Sequence, residues 1–486
     1  MTSEVPSQVA VPLKKGVVRN SKLLLIGFAT VFFPRLFTYF GAPSPLNFAH
    51  FIVIPIIVGI VLFTTRIKDQ KQIAIVGELI VGFGVLVACT TASALINDAG
   101  IINVFLQLMF LGEPFLFLIA MMAVPLVGEN LEKFRRWFAG FCLFNLILAL
   151  AQNVLIPIGI YPAARGGQLL SDNTAGVFAS PGGSAGNYIS ATVSLYFAFY
   201  FFNTFKTVPR WLRIAVIIAA IYQTYVSDSK QTFVQMFIGW LLVVWTNLEK
   251  PLKIFLYLIP VVLILAIFSW ALVETDWEFL DPYRNFTTAR ADQNLYGPDG
   301  QATLLKTAGF RIIPAYFTTP LNYLFGLGPG HTATRLGGWF LRDPNFQNLL
   351  IPLGATIHPA SEAFWQLIKS PAGWLFKDST MFSPMYTWVG LWGDLGPVGL
   401  GAYLYLSSIV WRRVCVDDFC KFLLLSTAIM GCIFTQMEEP GQMLTVACFL
   451  GLRWHEERER RRNRNSIGSA VENSETDHPL SPPQIN

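Results

Sequence analysis

The stretch Phe51-Ile52-Val53-Ile54-Pro55-Ile56-Ile57-Val58-Gly59-Ile60-Val61-Leu62-Phe63 carries no charge and lies inside an apolar run, 48–64. The hydrocarbon core of a bilayer is roughly 30 Å thick and takes about 20 apolar helical residues to cross. Runs of comparable character recur at 23–40, 73–95, 101–125, 138–158, 187–204, 211–227, 231–247, 254–273, 386–411, 421–436 and 441–453, which makes twelve in all. The last two are short, with Glu438-Glu439-Pro440-Gly441 read as the turn between them; a single broken helix is the alternative. Hydrophobic residues make up 53% of the chain and charged residues 13%, with a mean hydropathy of +0.50. Soluble domains carry about a quarter charged residues. The composition predicts an all-α polytopic integral membrane protein with about twelve transmembrane helices.

Basic residues set the orientation, because short Lys/Arg-bearing loops stay cytoplasmic. With the N-terminus inside, the inner segments hold Lys14, Lys15, Arg19 and Lys22, then Arg66, Lys68 and Lys71, then Lys133, Arg135 and Arg136. Further along they hold Lys206, Arg210, Arg213, Lys250, Lys253, Arg412, Arg413 and Lys421. The short outer turns hold only Arg165 and Lys230. Both termini are therefore expected in the cytoplasm. The division that follows is a cytoplasmic N-terminal segment 1–22, nine spans over 23–273, an extracytoplasmic loop 274–385 between spans nine and ten, three spans over 386–453, and a polar cytoplasmic tail 454–486 expected to be disordered. No cleavable signal peptide is expected, since a polar stretch precedes the first run and that run is long enough to span. The net charge of +5 comes from these short basic clusters and not from a nucleic-acid patch. All six cysteines fall in or between apolar runs, which excludes a disulfide-stapled ectodomain. Cys415 and Cys420 have poor zinc spacing and no other Cys or His beside them.

Three outer elements carry polar chemistry. The first runs from Arg165-Gly166-Gly167 through Asp172-Asn173-Thr174-Ala175-Gly176-Val177-Phe178-Ala179-Ser180-Pro181-Gly182-Gly183-Ser184. It is too rich in Gly, Ser and Pro for a lipid-facing helix, so its backbone must line protein or water. The second is Ser227-Asp228-Ser229-Lys230-Gln231, whose lysine lies against the topological bias and reads either as snorkelling to lipid phosphates or as a phosphate clamp. The third is the long loop, with eight Lys/Arg against nine Asp/Glu and many aromatics, among them Tyr316, Trp339, Phe340, Trp365 and Trp374. Aromatic faces among polar groups suit sugar rings and suit a membrane interface equally. Within it, Gly309-Phe310-Arg311 precedes Gly326-Leu327-Gly328-Pro329-Gly330-His331, a cation followed by a turn whose backbone N–H groups are free to meet an anion. Inside the spans, Arg35, Glu78, Asp98 and Glu113 are functional candidates, because charge in lipid is costly. Glu113-Pro114 lies mid-span, where a proline kink opens room for a polar pocket.

These pieces resemble the O-antigen ligase and O-antigen polymerase family of bacterial envelope glycan enzymes. The likeness covers most of the membrane part, in the span count and in the long outer loop between spans nine and ten. Thr174-Ala175-Gly176-Val177-Phe178-Ala179-Ser180-Pro181-Gly182 looks like the family's glycine-phenylalanine-asparagine-proline turn, and Ser229-Lys230 stands where the family has a Ser-Arg pair. Arg311 with Gly326 to Gly330 resembles its arginine and glycine-rich turn, and Asp394-Leu395-Gly396-Pro397-Val398-Gly399-Leu400 its acidic-Leu-Gly-x-x-Gly helix start. Two positions depart from the pattern. Ser383-Pro384-Met385-Tyr386 stands where ligases carry a histidine, and Asp172-Asn173 where the family has its first arginine, with Arg165 further upstream.

The resemblance implies a bacterial inner-membrane glycosyltransferase with its active face extracytoplasmic, acting on a polyprenyl-pyrophosphate-linked glycan and an acceptor glycan or lipid. The departures favour a polymerase over a ligase; a flippase of lipid-linked sugars is the reading from another class. Pyrophosphate is a good leaving group, so cations are the chief requirement. Arg311 and Lys230 are the first candidates for that role, with Arg165 and Arg290 behind them and Gly328, Gly330 and Gly176 as turn positions at the substrate. His358, Glu362 and Asp228 are the candidate bases. No metal motif appears, so neither a metal nor another cofactor is expected.

Overall fold

The computed structural model describes residues 19–67, 69–163, 170–180, 186–246 and 295–476, with isolated positions between 259 and 277. Every regular element among the described residues is helical. Helix α1 (Asn20–Phe32) continues past Phe33 into α2 (Pro34–Tyr39), and α3 (His50–Thr64), α4 (Gln70–Ile96), α5 (Ile101–Ala123) and α6 (Gly128–Leu155) follow. Among the described residues five segments, Asn20–Tyr39, Ser44–Thr64, Gln70–Ile96, Ile101–Ala123 and Gly128–Leu155, are long and apolar enough to cross a membrane. The runs at 187–204, 211–227 and 231–247 correspond to α7 (Gly186–Thr204), α8 (Arg210–Val226) and α9 (Lys230–Thr246). At 17 residues each, α8 and α9 measure about 26 Å at 1.5 Å per residue, slightly less than a bilayer core. Most of the run at 254–273 lies outside the described residues.

Helix α5 is the axis of the bundle. Its apolar window is 83% buried, against 33–39% for the other four spanning segments. A helix buried on all sides can hold polar groups out of lipid, and α5 carries Asn103, Gln107 and Glu113, each fully buried. The outer helices instead turn large apolar side chains outward, as α3 does with Ile52, Ile56 and Phe63. Aromatic rings fill the inner half, with Phe28 and Phe138 edge to face at 5.2 Å and Phe138 on Phe449 at 4.8 Å.

The long hydrophilic segment folds back onto the ends of the bundle as a set of short helices. Among the described residues of this segment α10 (Pro359–Lys369) is the longest helix. Leu336 and Phe340 are buried against Phe51 of α3 and Phe110 of α5, and Ile313, Leu327 and Phe364 form a second cluster with Met385 and Val389. Asn103, near the start of α5, donates to the Pro329 and Thr356 carbonyls at 2.9 Å and accepts from the Thr356 N–H at 2.9 Å. Three helices follow, α11 (Thr387–Arg413), α12 (Asp418–Ile433) and α13 (Pro440–Thr476), the last continuing as helix through most of the tail that the sequence suggests is disordered. The turn at Glu438-Glu439 separates α12 from α13, so this region is two helices and not one broken helix.

Helix α11 bends at Gly396, whose φ of +67° is left-handed, just before Pro397. A Cβ there would stand 2.2 Å from the Leu324 carbonyl oxygen. The bend lets the glycine-rich turn approach backbone to backbone, with the Leu327 N–H donating to Gly393 O at 2.8 Å and the Gly328 N–H to Asp394 O at 2.9 Å. Asp394 then accepts five hydrogen bonds on its buried carboxylate: from the N–H groups of Gly330 (2.7 Å), His331 (3.2 Å) and Thr332 (2.8 Å), and from the hydroxyls of Thr332 and Thr334, both at 2.7 Å. Each donor stranded by loss of that carboxylate costs about 1–3 kcal/mol. Asp394→Ala is therefore expected to lower the melting temperature in detergent and to open 295–385 to limited proteolysis, whereas a conservative substitution at the exposed Leu404 on the same helix leaves both unchanged.

Candidate functional site

A cavity of about 680 Å³ lies where α1–α2, the start of α3, the 172–188 region, the long loop and the α12–α13 turn meet. Its charged lining residues are Arg35, Asp172, Arg335, Asp343 and Glu439, with His50 beside them; Trp339, Phe340, Phe346, Phe376 and Phe434 supply aromatic walls. The centre of charge is Glu439, 3% exposed, whose two carboxylate oxygens each pair with a different guanidinium, Oε1 with Arg35 and Oε2 with Arg335. The neighbouring Glu438 is fully buried and accepts from the Arg335 backbone N–H at 2.6 Å. Burial pushes its carboxyl up to about 8, against the pull of that N–H and of the Arg335 charge. At neutral pH Glu438 is therefore protonated, and the Arg35–Glu439–Arg335 cluster keeps one net positive charge, in a wall that also carries Asp172 and Asp343.

The local sequence explains how Arg335 arrives there. Thr334 caps the short helix Arg335–Gly338, accepting from the Gly337 N–H, while its hydroxyl donates to Asp394. Arg335 is thus the residue immediately after the clamp, and its guanidinium lies over the Phe110 ring at 5.5 Å. Arg35 comes from the opposite wall, one residue past the Pro34 that starts α2.

The three outer elements converge only in part. Asp172, Phe178, Ser180 and Asn187 line the cavity, as do residues of the long loop. The 227–231 junction stands behind them. Asn187 donates to the Ser227 carbonyl at 2.9 Å, and Gln231 donates to the Thr380 hydroxyl at 3.1 Å, Thr380 being a lining residue. Lys230 and Asp228 pair with each other at 2.8 Å. Arg311 is exposed, donates to the Leu304 carbonyl and is not among the residues of the cavity wall. Arg165 and Arg290 lie outside the described residues.

The glycine-rich turn does gather N–H groups around an anion, and that anion is Asp394. Gly330 donates to the Asp394 carboxylate and Gly328 to its backbone carbonyl, so both are committed to the clamp. Gly176 is buried with a φ of +56°, its N–H and carbonyl both bonded to the Gln152 side chain at 2.7 and 2.9 Å. His331 uses both ring nitrogens, on the Leu327 carbonyl and the Thr356 hydroxyl, and burial lowers it to about 4, so it stays neutral. His358 caps α10 through Nδ1, which accepts from the Ala360 N–H at 3.1 Å, and stacks on His331 at 5.3 Å. Glu362 pairs with Arg342 on a partly exposed surface. None of His358, Glu362 and Asp228 lines the cavity.

Arg35 stands out in the sequence as a charge inside a span, and the structure places it on the cavity wall. Arg335 is one of the eight Lys/Arg of the long loop and nothing in the sequence sets it apart, while Glu438-Glu439 reads as part of a turn. Two adjacent carboxylates between apolar runs, with no basic neighbour in sequence, were the signal available for the pair.

Removing one member of a buried ion cluster costs about 3–5 kcal/mol when it leaves charge uncompensated. Glu439→Ala takes the shared carboxylate from two guanidiniums, whereas Arg35→Ala leaves Glu439 still paired with Arg335. Thermal melts in detergent should show the larger loss for Glu439→Ala. Comparison of the chain with protein-family models and with curated proteins finds no match.

Proposed function

We propose that this chain is a membrane glycosyltransferase that polymerises polyprenyl-pyrophosphate-linked oligosaccharide repeat units into a bacterial surface polysaccharide. In this reading twelve spans cross the inner membrane with both termini cytoplasmic, and the cavity faces the extracytoplasmic side. The observation that carries it is the pair of largely buried guanidiniums sharing Glu439 in an aromatic-walled cavity. Pockets for small ligands run roughly 300–1,000 Å³, and about 680 Å³ accommodates a diphosphate with its first sugars. Arginine forks match phosphate oxygens two at a time, and the aromatic faces suit the apolar side of a sugar ring.

The acceptor hydroxyl attacks the anomeric carbon, and the bond from that carbon to the pyrophosphate oxygen breaks. Arg35 and Arg335 exchange Glu439 for the diphosphate and hold the charge that develops on it, which lowers the barrier because they are already in place. The second reading, a ligase that moves finished glycan onto a lipid or protein acceptor, uses the same donor site. The Ser383 to Tyr386 stretch in place of the ligases' histidine favours the polymerase. A flippase is disfavoured by the collection of these charged groups at one end of the bundle.

Loss of one preorganised donor to a developing oxyanion typically costs about 10²–10³ in rate. In cells lacking the chromosomal copy, Arg335→Ala or Arg35→Ala at matched protein level should leave single repeat units on the lipid carrier. Arg311→Ala should restore near-normal chain length. Full-length glycan stranded on its carrier in the deletion would indicate the ligase instead, and normal glycan from both cavity variants would remove the assignment. A second outcome follows from Glu438. As pH rises through about 8 it ionises, the cluster loses its net positive charge, and the donor KM is expected to rise. Glu438→Gln should flatten that rise in an assay of purified protein across pH 6.5–9.

A further inference from the structure

In the wall of the same cavity His50 forms a pair of another kind with Glu113 behind it. His50 opens α3 and Glu113 lies in the middle of α5; their side chains are 3% and 0% exposed. His50 Nδ1 stands 2.7 Å from Glu113 Oε1 and 2.9 Å from Oε2. A carboxylate on Nδ1 fixes the tautomer with the proton there, so Nε2 carries the lone pair. Nε2 makes no hydrogen bond among the described residues, and His50 is part of the cavity wall. The ring is held in orientation as well, edge to face on Phe51 at 4.5 Å, and Pro114 interrupts the α5 hydrogen-bond ladder next to Glu113.

We infer that His50 is the general base of the glycosyl transfer and that Glu113 is its positioning residue. The inference rests on the glycosyltransferase reading of the cavity. The acceptor hydroxyl donates its proton to His50 Nε2 as its oxygen forms the new bond to the anomeric carbon. The bond from that carbon to pyrophosphate breaks with its electron pair on the leaving oxygen, which Arg35 and Arg335 stabilise. The imidazolium that forms is balanced by Glu113 and later releases its proton to water. This arrangement supplies a base although Ser383 to Tyr386 stands where the ligases carry their histidine, and it needs no group from the outer loop. It also separates the labours of the cavity, with α2 and the loop holding the leaving group while α3 and α5 activate the acceptor.

General-base assistance typically contributes about 10²–10⁴-fold. The test uses full-length protein in nanodiscs with a synthetic polyprenyl-pyrophosphate-linked repeat unit, following donor consumption and product length. His50→Ala is expected to lower kcat by about 10²–10⁴-fold with an unchanged donor KM, which also reports that the cavity is intact, and added imidazole should restore part of the rate. Glu113→Gln should lower kcat with the donor KM held, and Glu113→Asp should recover part of that loss. Wild-type kcat in His50→Ala, or a loss that imidazole leaves untouched while Glu113→Gln is fully active, overturns the base while leaving the polymerase reading intact if Arg335→Ala is still inactive. A wild-type protein that binds the donor but forms no glycosidic bond overturns both.

Discussion

The hydrogen-bonded carboxylate of Asp394 is the constraint on which the site depends. Asp394 belongs to a helix of the bundle and its five donors belong to the loop, so one buried group sets the register of the loop against the membrane part. A carboxylate in that position must be surrounded by donors or it is expelled from the interior. The glycines serve this requirement. Gly326 and Gly396 take left-handed backbone conformations, and a side chain at either would strike a carbonyl oxygen of the other segment within 2.5 Å. Thr334 closes the clamp and Arg335 follows it directly, which turns an anchoring interaction into a positional one for the cavity's cation.

Much of the architecture was legible because hydropathy is a one-dimensional signal. Most of the apolar runs coincide with helices to within about three residues, although α6 begins well before the run at 138–158, the run at 254–273 lies mostly outside the described residues, and α13 continues far past the run at 441–453. The acidic-Leu-Gly pattern at Asp394 and the glycine-rich turn at Gly326 were visible as motifs, and the chemistry expected of the turn, N–H groups around an anion, is the chemistry it performs. Which anion it meets was not legible, since Asp394 lies more than sixty residues further along the chain and only the fold brings it back. Arg311 and Arg335 looked alike on the page for the same reason. Both are loop cations near glycines, and their difference is that one follows the clamp inward while the other faces out. His50 could not be told from an ordinary interfacial histidine until its neighbour sixty-three residues away was placed beside it.

The resting state of the cavity also bears on selectivity. Arg35 and Arg335 are already paired through Glu439, so a ligand must replace a carboxylate that each guanidinium holds. A single negative charge would offer the arginines roughly what Glu439 gives them and would still have to displace it from a buried position, which is costly once charge is left unpaired. A diphosphate brings more charge and several oxygens arranged for two forks. It can therefore satisfy both arginines together in exchange for Glu439. On the proposed function, the internal carboxylate would disfavour chloride, carboxylates and single phosphates. With Glu438 protonated beside it, the Arg35–Glu439–Arg335 cluster keeps one net positive charge.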